Sequence, residues 1–264
     1  TLLLSYTSFS QQRCHTNEHV ENLNKKYPQY QKNRNQVNEQ TINWIKSNYQ
    51  TDMKSIITIP VVVHVVWNTS QENISDQQIF SQIDVLNADF RRTNIDAIMT
   101  PSVWTSIAAD TEIEFCLASV DPNGAFTSGI TRTQTSETSF SIQSDAVKAT
   151  ATGGINPWNQ NNYLNIWVCD LSGGILGYAT PPSSFNNPDD GVVIGYKYFG
   201  TLGTVQGPYN KGRTCTHEVG HWLNLDHIWG NSGNCGNDNV NDTPTQEEEN
   251  YNCPAFPHLS LIHI

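Results

Sequence analysis

Apolar residues in this chain form short β-branched runs in some places and helical spacing in others. Residues 59–66, IPVVVHVV, are too short a run for a useful helix and suit a buried strand. Across 75–92 the apolar positions recur at helical spacing, which predicts an amphipathic helix packed on a sheet. Further strands are predicted at 112–119, 163–169 and 191–197, between loops rich in Gly, Pro and Asn. The pattern therefore predicts a mixed α/β (α+β) domain.

The amino-terminal part has a different pattern. Residues 13–52 are rich in Lys, Asn and Gln and poor in large aliphatic side chains, which predicts a helical, loosely packed segment outside the core. Residues 1–12, TLLLSYTSFSQQ, are similar to the second half of a secretory signal peptide; a disordered or strand-like leader is the alternative. A signal peptide would make the protein secreted.

The composition of the chain excludes some classes of binding partner. A chain of 264 residues with 37% hydrophobic content can bury a full core. Its net charge of −11 argues against nucleic acid or an anionic membrane as partner, because a polyphosphate needs a basic surface. A membrane helix needs about 18 or more apolar residues in a row, and the sequence has no such run. The oligomeric state stays open.

Residues 214–229, TCTHEVGHWLNLDHIW, carry the strongest chemical pattern. His217 and His221 are four residues apart, so on a helix both can offer an imidazole nitrogen to one metal ion. Glu218, one step round the helix, would reach a water molecule that the metal activates. His227 can be a third ligand only if the helix ends and the chain turns. Three protein ligands leave the fourth tetrahedral position open, as in a catalytic zinc site.

Asn224 stands where that turn is needed, because Asn is the non-glycine residue that best tolerates a left-handed backbone. Three neutral imidazoles leave most of the zinc charge uncompensated, so water becomes more acidic and a peptide carbonyl can be polarised. Glu218 would act as general base and pass the proton to the leaving amine. The alternative is a chance HExxH on a surface helix. The third histidine His227, the turn residue Asn224 and the apolar residues of the motif argue against it. Those apolar residues are Val219, Trp222, Leu223 and Leu225.

The segment HEVGHWLNLDH resembles the metzincin signature, with Asn224 at the usual Gly position. Most of residues 13–258 resembles one metzincin branch, the pappalysin family, and especially its bacterial cytophagalysin-like members. The matching segments are IPVVVHVV (59–66), NISDQQIFSQIDVLNADFRRTN (73–94), IEFCLA (113–118), GITRT (129–133), YLNIWVC (163–169), GYATPP (177–182), DGVVIGY (190–196), GRTCTHEVGHWLNLDHIWG (212–230) and DTP (242–244).

The resemblance implies a metzincin zincin fold, with a mixed twisted sheet, a backing helix and an active-site helix. It implies a pro-segment at 13–54, an upper catalytic subdomain at 55–223 and the start of a lower subdomain at 224–264. The two methionines, Met53 and Met99, both precede the zinc motif. We therefore expect the Met-containing turn, a supporting Tyr and the pocket that sets specificity to lie beyond the end of this chain.

Cys14 is a candidate zinc ligand of a latent form. Family members carry an R-C-G-T motif ahead of the catalytic domain, and here residues 13–16 read R-C-H-T. A thiolate over the open metal position would displace water and keep the enzyme inactive. An incidental free cysteine is the alternative.

Residues 174–181, GILGYATP, are expected to form an edge strand. In metzincins the strand at this place pairs with the substrate backbone, which implies protein or peptide substrates; an ordinary edge strand is the alternative. The candidate substrate-binding residues are Gly174, Leu176, Gly177, Tyr178 and Ala179. Leu176 and Tyr178 are the ones we expect to face the substrate.

The Asn-rich segment 230–253 offers a second candidate cation site. The resemblance implies structural calcium near Asp238, Asp242 and Thr243, and a plain solvated loop is the alternative. Six cysteines in an exported chain suggest disulfides, with Cys235 and Cys253 able to bracket this loop or to pair beyond the chain end. The remaining predictions concern burial: Cys116, Cys169 and Cys215 are expected to be buried, and His64 to be buried and hydrogen-bonded.

Three functions from different classes remain. The first is a secreted zinc endopeptidase made as a zymogen. The second is a zinc-binding but catalytically silent interaction module, and the third is a zinc-free binding domain. Glu218 favours the first over the second, because a structural zinc site has no use for a base. The matched sequence on both sides of the motif disfavours the third.

Overall fold

The computed structural model describes residues 14–48, 55–183, 187–230, 236–242, 244–246 and 249. Within these residues a six-stranded sheet forms the centre of the molecule. Its strands are β1 (Ile57–Trp67), β2 (Ile113–Leu117), β3 (Ile130–Gln134), β4 (Leu164–Cys169), β5 (Gly177–Thr180) and β6 (Gly191–Gly195). The helices are α1 (Thr16–Lys26), α2 (Tyr30–Asn48), α3 (Asp76–Phe90) and α4 (Arg213–Trp222). Short 3₁₀ turns join several of these elements.

The long strand β1 organises the sheet. Its first half pairs with β2 and its second half with β3, while its other edge pairs with β4, all in parallel. The order continues through β6 to β5, and β5 runs antiparallel to β6. In the described part of the chain no named strand covers the outer side of β5. The sheet therefore ends at β5, whose outer edge pairs with no other strand of the sheet.

The core lies on both faces of this sheet. On one face α3 packs against β2, and α4 packs against β5 and β6. Ser75 caps α3 by accepting a hydrogen bond from the backbone nitrogen of Gln78 at 3.2 Å. The other face holds a second cluster around Trp167, which the segment 140–155 covers. Each strand with one fully buried face has a fixed register, because a shift of one residue would expose its apolar side chains.

The predicted elements β1, α3, β2, β4 and β6 are confirmed to within a few residues at each end. Strand β3 was not predicted. Its sequence, ITRTQ, alternates apolar and polar residues over too short a span to distinguish it from a loop. Its pairing with β1 is a long-range contact, and local periodicity does not report such contacts.

The expectation that residues 13–52 pack loosely is wrong for the first half of the segment. Buried side chains recur at roughly helical spacing through α1 and the start of α2. They are Thr16, His19, Leu23, Tyr30 and Arg34. The surface they cover is polar, so the segment needs few aliphatic side chains to dock on it. The second half of α2 is different: Trp44 and Ile45 are about half exposed.

The burial predictions have mixed outcomes. Cys169 and Cys215 are buried, as predicted, but Cys116 is exposed on β2. Strand β2 pairs with β1 along one edge and buries one of its two faces, and Cys116 points away from the core. His64 is buried and bonded to Thr131 and Asn165, which confirms its prediction. Cys235 and Cys253 lie outside the described residues. No helix in the described part of the chain is long and apolar enough to span a bilayer.

Candidate metal centre

Helix α4 presents one face to the core and another to β5. Gly212, with φ of 70°, precedes the helix, and its carbonyl accepts a hydrogen bond from Gln82 on α3 at 3.0 Å. Cys215 and Val219 are fully buried in the core below. Because they anchor one side of the helix, His217, Glu218 and His221 face the edge of the sheet at β5.

The helix ends where the sequence predicts a turn. Asn224 has φ of 74°, in the left-handed region. The backbone nitrogens of Asn224 and Leu225 donate to the carbonyls of His221 and Gly220 at 2.9 and 3.0 Å, which satisfies the last turn of α4. The turn directs the chain back across the end of the helix. His227 thereby reaches the two histidines of α4.

Three imidazole nitrogens converge at this point. His221 Nε2 lies 3.0 Å from His217 Nε2 and 3.1 Å from His227 Nε2, and the last two atoms are 3.3 Å apart. Nitrogens bound to a tetrahedral zinc at about 2.1 Å lie roughly 3.4 Å from one another. The observed separations are therefore close to those of a zinc ligand set.

The protonation of His221 supports the same conclusion. Its Nδ1 lies 2.7 Å from the carbonyl oxygen of Leu225, which can only accept a hydrogen bond. The proton of the neutral ring must therefore be on Nδ1, and Nε2 presents a lone pair to the other two histidines. A cation would stabilise this lone pair and the two ring nitrogens that lie 3.0 and 3.1 Å from it. This donor set fits a metal ion.

Burial keeps the histidines in the form that binds metal. His221 and His227 are buried, and His217 is the most exposed of the three. Burial, together with a neighbouring imidazole, lowers the pKa of both His221 and His227 to about 4. The His227 ring stacks on Trp229, with centroids 4.4 Å apart. Neutral imidazole is the ligand form, so these surroundings favour metal binding at neutral pH.

Glu218 is almost completely buried beside the histidines, with 1% of its surface exposed. Burial raises its pKa to about 7. Strand β5 passes very close to it at Gly177. A Cβ atom there would lie 3.1 Å from Glu218 Cγ and 2.9 Å from Ile194 Cδ1. Glycine is therefore needed at this position for the edge strand to approach the carboxylate.

The start of the described chain lies across this same site. Cys14 Sγ is 3.4 Å from His221 Nε2 and 3.7 Å from Glu218 Oε2. The candidate ligand atoms of Cys14 and the three histidines all lie within 4.8 Å of one another. Burial and the nearby charge of Glu218 raise the pKa of the Cys14 thiol. The structure therefore brings the fourth predicted ligand to the other three. Arg13 lies outside the described residues.

Residues 14–16 are held along the edge of β5. Cys14 forms a parallel bridge with Gly177, whose carbonyl accepts from the His15 nitrogen at 3.4 Å. The Thr16 hydroxyl donates to Glu218 Oε2 at 2.8 Å and accepts from the Ala179 nitrogen at 2.9 Å. The sequence reasoning gave Thr16 no role. Its only signal was the final T of the R-C-H-T motif.

The predicted substrate-binding residues are distributed around this edge. Gly174 lies in a 3₁₀ turn before β5, and the Leu176 carbonyl accepts from the Gly195 nitrogen at 2.9 Å. Gly177 and Ala179 bond to residues 14–16, as described above. The Tyr178 ring is buried against His19 of α1, and its hydroxyl donates to Asp145 at 2.7 Å. Tyr178 therefore lies beneath the amino-terminal segment.

The candidate calcium residues are only partly described. Asp238 Oδ1 accepts a hydrogen bond from the Val240 nitrogen at 3.1 Å, and the Asp242 side chain is exposed. Thr243 lies outside the described residues. Calcium binding here stays a prediction.

Comparison with known proteins agrees with this geometry. The family model described as pregnancy-associated plasma protein-A, for the M43 peptidases, matches residues 150–256. Mature mirolysin of Tannerella forsythia, solved with a cleaved peptide, is 56% identical with a TM-score of 0.75, over 78% of this chain and 77% of that chain. A promirolysin mutant from Tannerella forsythia is 49% identical with a TM-score of 0.81, over 94% of this chain and 80% of that chain.

Fungal relatives are more distant. An extracellular metalloprotease of Arthroderma benhamiae is 28% identical over 210 residues, which is 77% of this chain. The chain spans 65% of the length of that relative. The sheet with its open edge, α4 and the converging histidines define a metzincin-type metallopeptidase fold. Within that class, the chain belongs to the pappalysin family.

Proposed function

We propose that this chain is the main part of a secreted zinc-dependent endopeptidase made in a latent form. The observation that carries the proposal is the convergence of three imidazole nitrogens beside a buried carboxylate, at the edge strand of a sheet. A zinc site that serves structure alone has no use for such a carboxylate. Protein or peptide chains are the substrates that an open strand edge can bind through backbone hydrogen bonds.

His217, His221 and His227 would hold the zinc ion. When bound, zinc supplies a Lewis acid that activates water and polarises a peptide carbonyl. Glu218 would take a proton from the attacking water and donate it to the amine that leaves. Its burial supports this role, because a carboxylate with few water neighbours binds a proton more readily than one in bulk solvent.

Latency would come from the amino-terminal segment, which engages both parts of the machinery. Cys14 would take the metal position that water needs. Thr16 would occupy Glu218 with a hydrogen bond and also use the Ala179 nitrogen on the strand edge. A substrate could then reach neither the base nor the edge of β5. Release of residues 14–16 would free all three groups at once.

The proposed organisation follows the sequence boundaries. Residues 1–12 would be signal-peptide sequence and 13–54 the pro-segment. Residues 55–223 would form the upper catalytic subdomain, and 224–264 would belong to the lower one. Export is supported by the fungal relatives, which are named extracellular metalloproteases.

The test is zinc content and hydrolysis of a quenched peptide library by the full-length protein, before and after proteolytic removal of the amino-terminal segment. We expect about one zinc per chain and hydrolysis only after removal. Glu218→Gln should keep zinc and lose about 10²- to 10⁴-fold in kcat. Asp84→Asn, an exposed carboxyl change on α3, is the matched control and should leave activity unchanged.

Two results would contradict the proposal. Zinc without hydrolysis in the processed wild type would leave a zinc-binding interaction module. Equal hydrolysis by the wild type and Glu218→Gln would exclude Glu218 as the base. Cys14→Ser tests the role of the thiol separately, and we expect it to be more active than the unprocessed wild type but less active than the processed protein, because Thr16 still bonds to Glu218.

A further inference from the structure

A buried carboxylate lies beyond the end of β5, and α1 places a cation on it. The Lys26 ammonium lies 3.0 and 2.8 Å from the two carboxylate oxygens of Asp189. The Asp189 side chain is 8% exposed, whereas that of Lys26 is 51% exposed. Lys26 thus reaches from solvent to a carboxylate that the folded chain, α1 included, shields. Its contact with both oxygens is the kind that a lysine of a bound peptide could make.

A second lysine nearby does not neutralise this carboxylate. Lys148 is 3% exposed and bonds to the carbonyl oxygen of Asp189 at 2.7 Å. Its charge is paired with Asp145, at 3.1 Å. Among the described residues, Lys26 is therefore the lysine in salt-bridge contact with the Asp189 carboxylate. Departure of α1 would remove that cation and leave a negative charge.

The space around the carboxylate is a groove between α1 and the catalytic core. It has a volume of about 370 Å³, and its core wall is formed by Ile142, Gln143, Ser144, Asp145 and Asp189. This wall is tied to the sheet independently of α1. Tyr178 on β5 donates to Asp145 at 2.7 Å, and Thr180 on β5 donates to the Asp189 carbonyl at 2.5 Å. The core wall should therefore keep its shape when the amino-terminal segment leaves, and it would then form one side of an open cleft.

The groove and the candidate active site lie beside two positions of the same strand, β5. Gly177 is next to Glu218, and Thr180 is next to Asp189. These two residues of β5 are three apart, or about 10 Å at the rise of an extended strand. A peptide paired along β5 would place its reacting bond near Gly177. A residue three to five positions away would then lie beside Asp189, within reach of a long side chain.

We propose that Asp189 determines specificity in a subsite for a lysine or arginine side chain, three to five residues from the bond that is cleaved. Lys26 fills this subsite in the latent form. The inference rests on the proposed function, since it assumes that peptides are cleaved along β5. It concerns a different part of the cleft from the metal site.

The test uses the full-length protein after removal of the amino-terminal segment. A quenched peptide that it cleaves is varied by placing a single Lys, or the uncharged Gln, at each of five positions on either side of the cleaved bond. We expect Lys to raise kcat/KM by about 5-fold over Gln at one position, three to five residues away, because the charge pair forms against a wall that shields it from solvent on one side. The Asp189→Asn variant should bring that ratio close to one while cleaving the Gln peptide normally.

Two controls keep the test specific. Asp189→Glu retains the charge and should retain most of the Lys preference, which guards against a misfolded Asn variant. Asp84→Asn should leave kcat/KM unchanged for every peptide of the Lys and Gln series. A Lys preference that survives in Asp189→Asn, or a flat profile in the wild type, would overturn the subsite. Absence of any Glu218-dependent cleavage would overturn the proposed function instead.

Discussion

Two regions of the molecule meet at the candidate metal centre, and they reach it differently. Helix α4 and its turn bring three imidazoles together from residues 217–227, so helix geometry and one left-handed residue set their spacing. Cys14 is 207 residues away from His221 in sequence. Hydrogen bonds of residues 14–16 to β5 and Glu218 hold it in place, together with the docking of α1 through the buried side chains of His19 and Leu23.

The difference separates a permanent part of the site from a removable one. The histidines depend on local structure that is anchored in the core by Cys215 and Val219. The cysteine depends on contacts that the rest of the fold does not need. We infer that the amino-terminal segment can leave without disturbing the three histidines, whereas loss of a histidine abolishes the site.

The largest expected effect comes from removing one of the three histidines. His221→Ala should weaken zinc binding by more than about 100-fold, because changes to groups that merely orient a ligand already weaken it by about 10- to 100-fold. Cys14→Ser in the same protein should keep nearly full zinc content. Both are measured by metal analysis after dialysis against a chelator. Equal zinc loss in the two variants would mean that the cysteine is as essential as the histidines.

Acid should weaken the sheet through a histidine far from the metal. Burial lowers the pKa of His64 to about 4, against about 6.5 in the unfolded chain. The unfolded state therefore binds the proton first as pH falls. The contribution of His64 is fully present above about pH 6.5 and is lost towards pH 4, at up to about 1.4 kcal/mol per pH unit.

Urea unfolding of the wild type and His64→Gln between these pH values measures this effect. The slope of unfolding free energy against pH should be shallower in the variant, since other histidines contribute equally to both proteins. Parallel slopes would show that His64 does not contribute. The comparison also separates acid unfolding of the sheet from acid release of metal.

A smaller effect is expected from weakening the removable part. Thr16→Val removes the hydrogen bonds to Glu218 and to the Ala179 nitrogen but keeps the shape of the side chain. Hydrogen bonds to charged groups contribute about 1.5 to 3 kcal/mol, so activity of the unprocessed protein should rise by about 10-fold or more. Thr16→Ser keeps the hydroxyl and should stay latent. If the unprocessed Thr16→Val and Thr16→Ser proteins have equal activity, the Thr16 hydroxyl does not contribute to latency.

The smallest expected effect concerns the turn at Asn224, which follows α4 and contacts α2 of the amino-terminal segment. Asn224 has a left-handed backbone, and its side chain donates to Asn38 on α2 at 2.8 Å. Asn224→Ala should lower the unfolding free energy by about 1 kcal/mol, because alanine tolerates this conformation less well. Asn224→Gly should keep the turn and lose only the contact with α2. Thermal melting of both variants, with and without the amino-terminal segment, distinguishes the two contributions.

Some elements of the fold are encoded in the local sequence pattern and others are not. The buried strand β1 and the amphipathic α3 could be predicted because their apolar patterns are long and regular. Strand β3 could not, because a five-residue alternating segment becomes a strand only when β1 pairs with it. The exposure of Cys116 was missed for a similar reason, since burial on one face of β2 depends on which elements pack there.

The candidate metal centre also has one part that the sequence predicts and another part that depends on tertiary contacts. The sequence determined the spacing of His217, Glu218 and His221, because residues four apart on a helix share a face, and it placed the turn at Asn224. Only the tertiary structure decided that Cys14 meets the histidines, that Thr16 bonds to Glu218 and that Lys26 covers Asp189. These pairs are separated by 163 to 207 residues. Local propensity does not act over such distances; the packing of α1 against the open edge of the sheet brings them together.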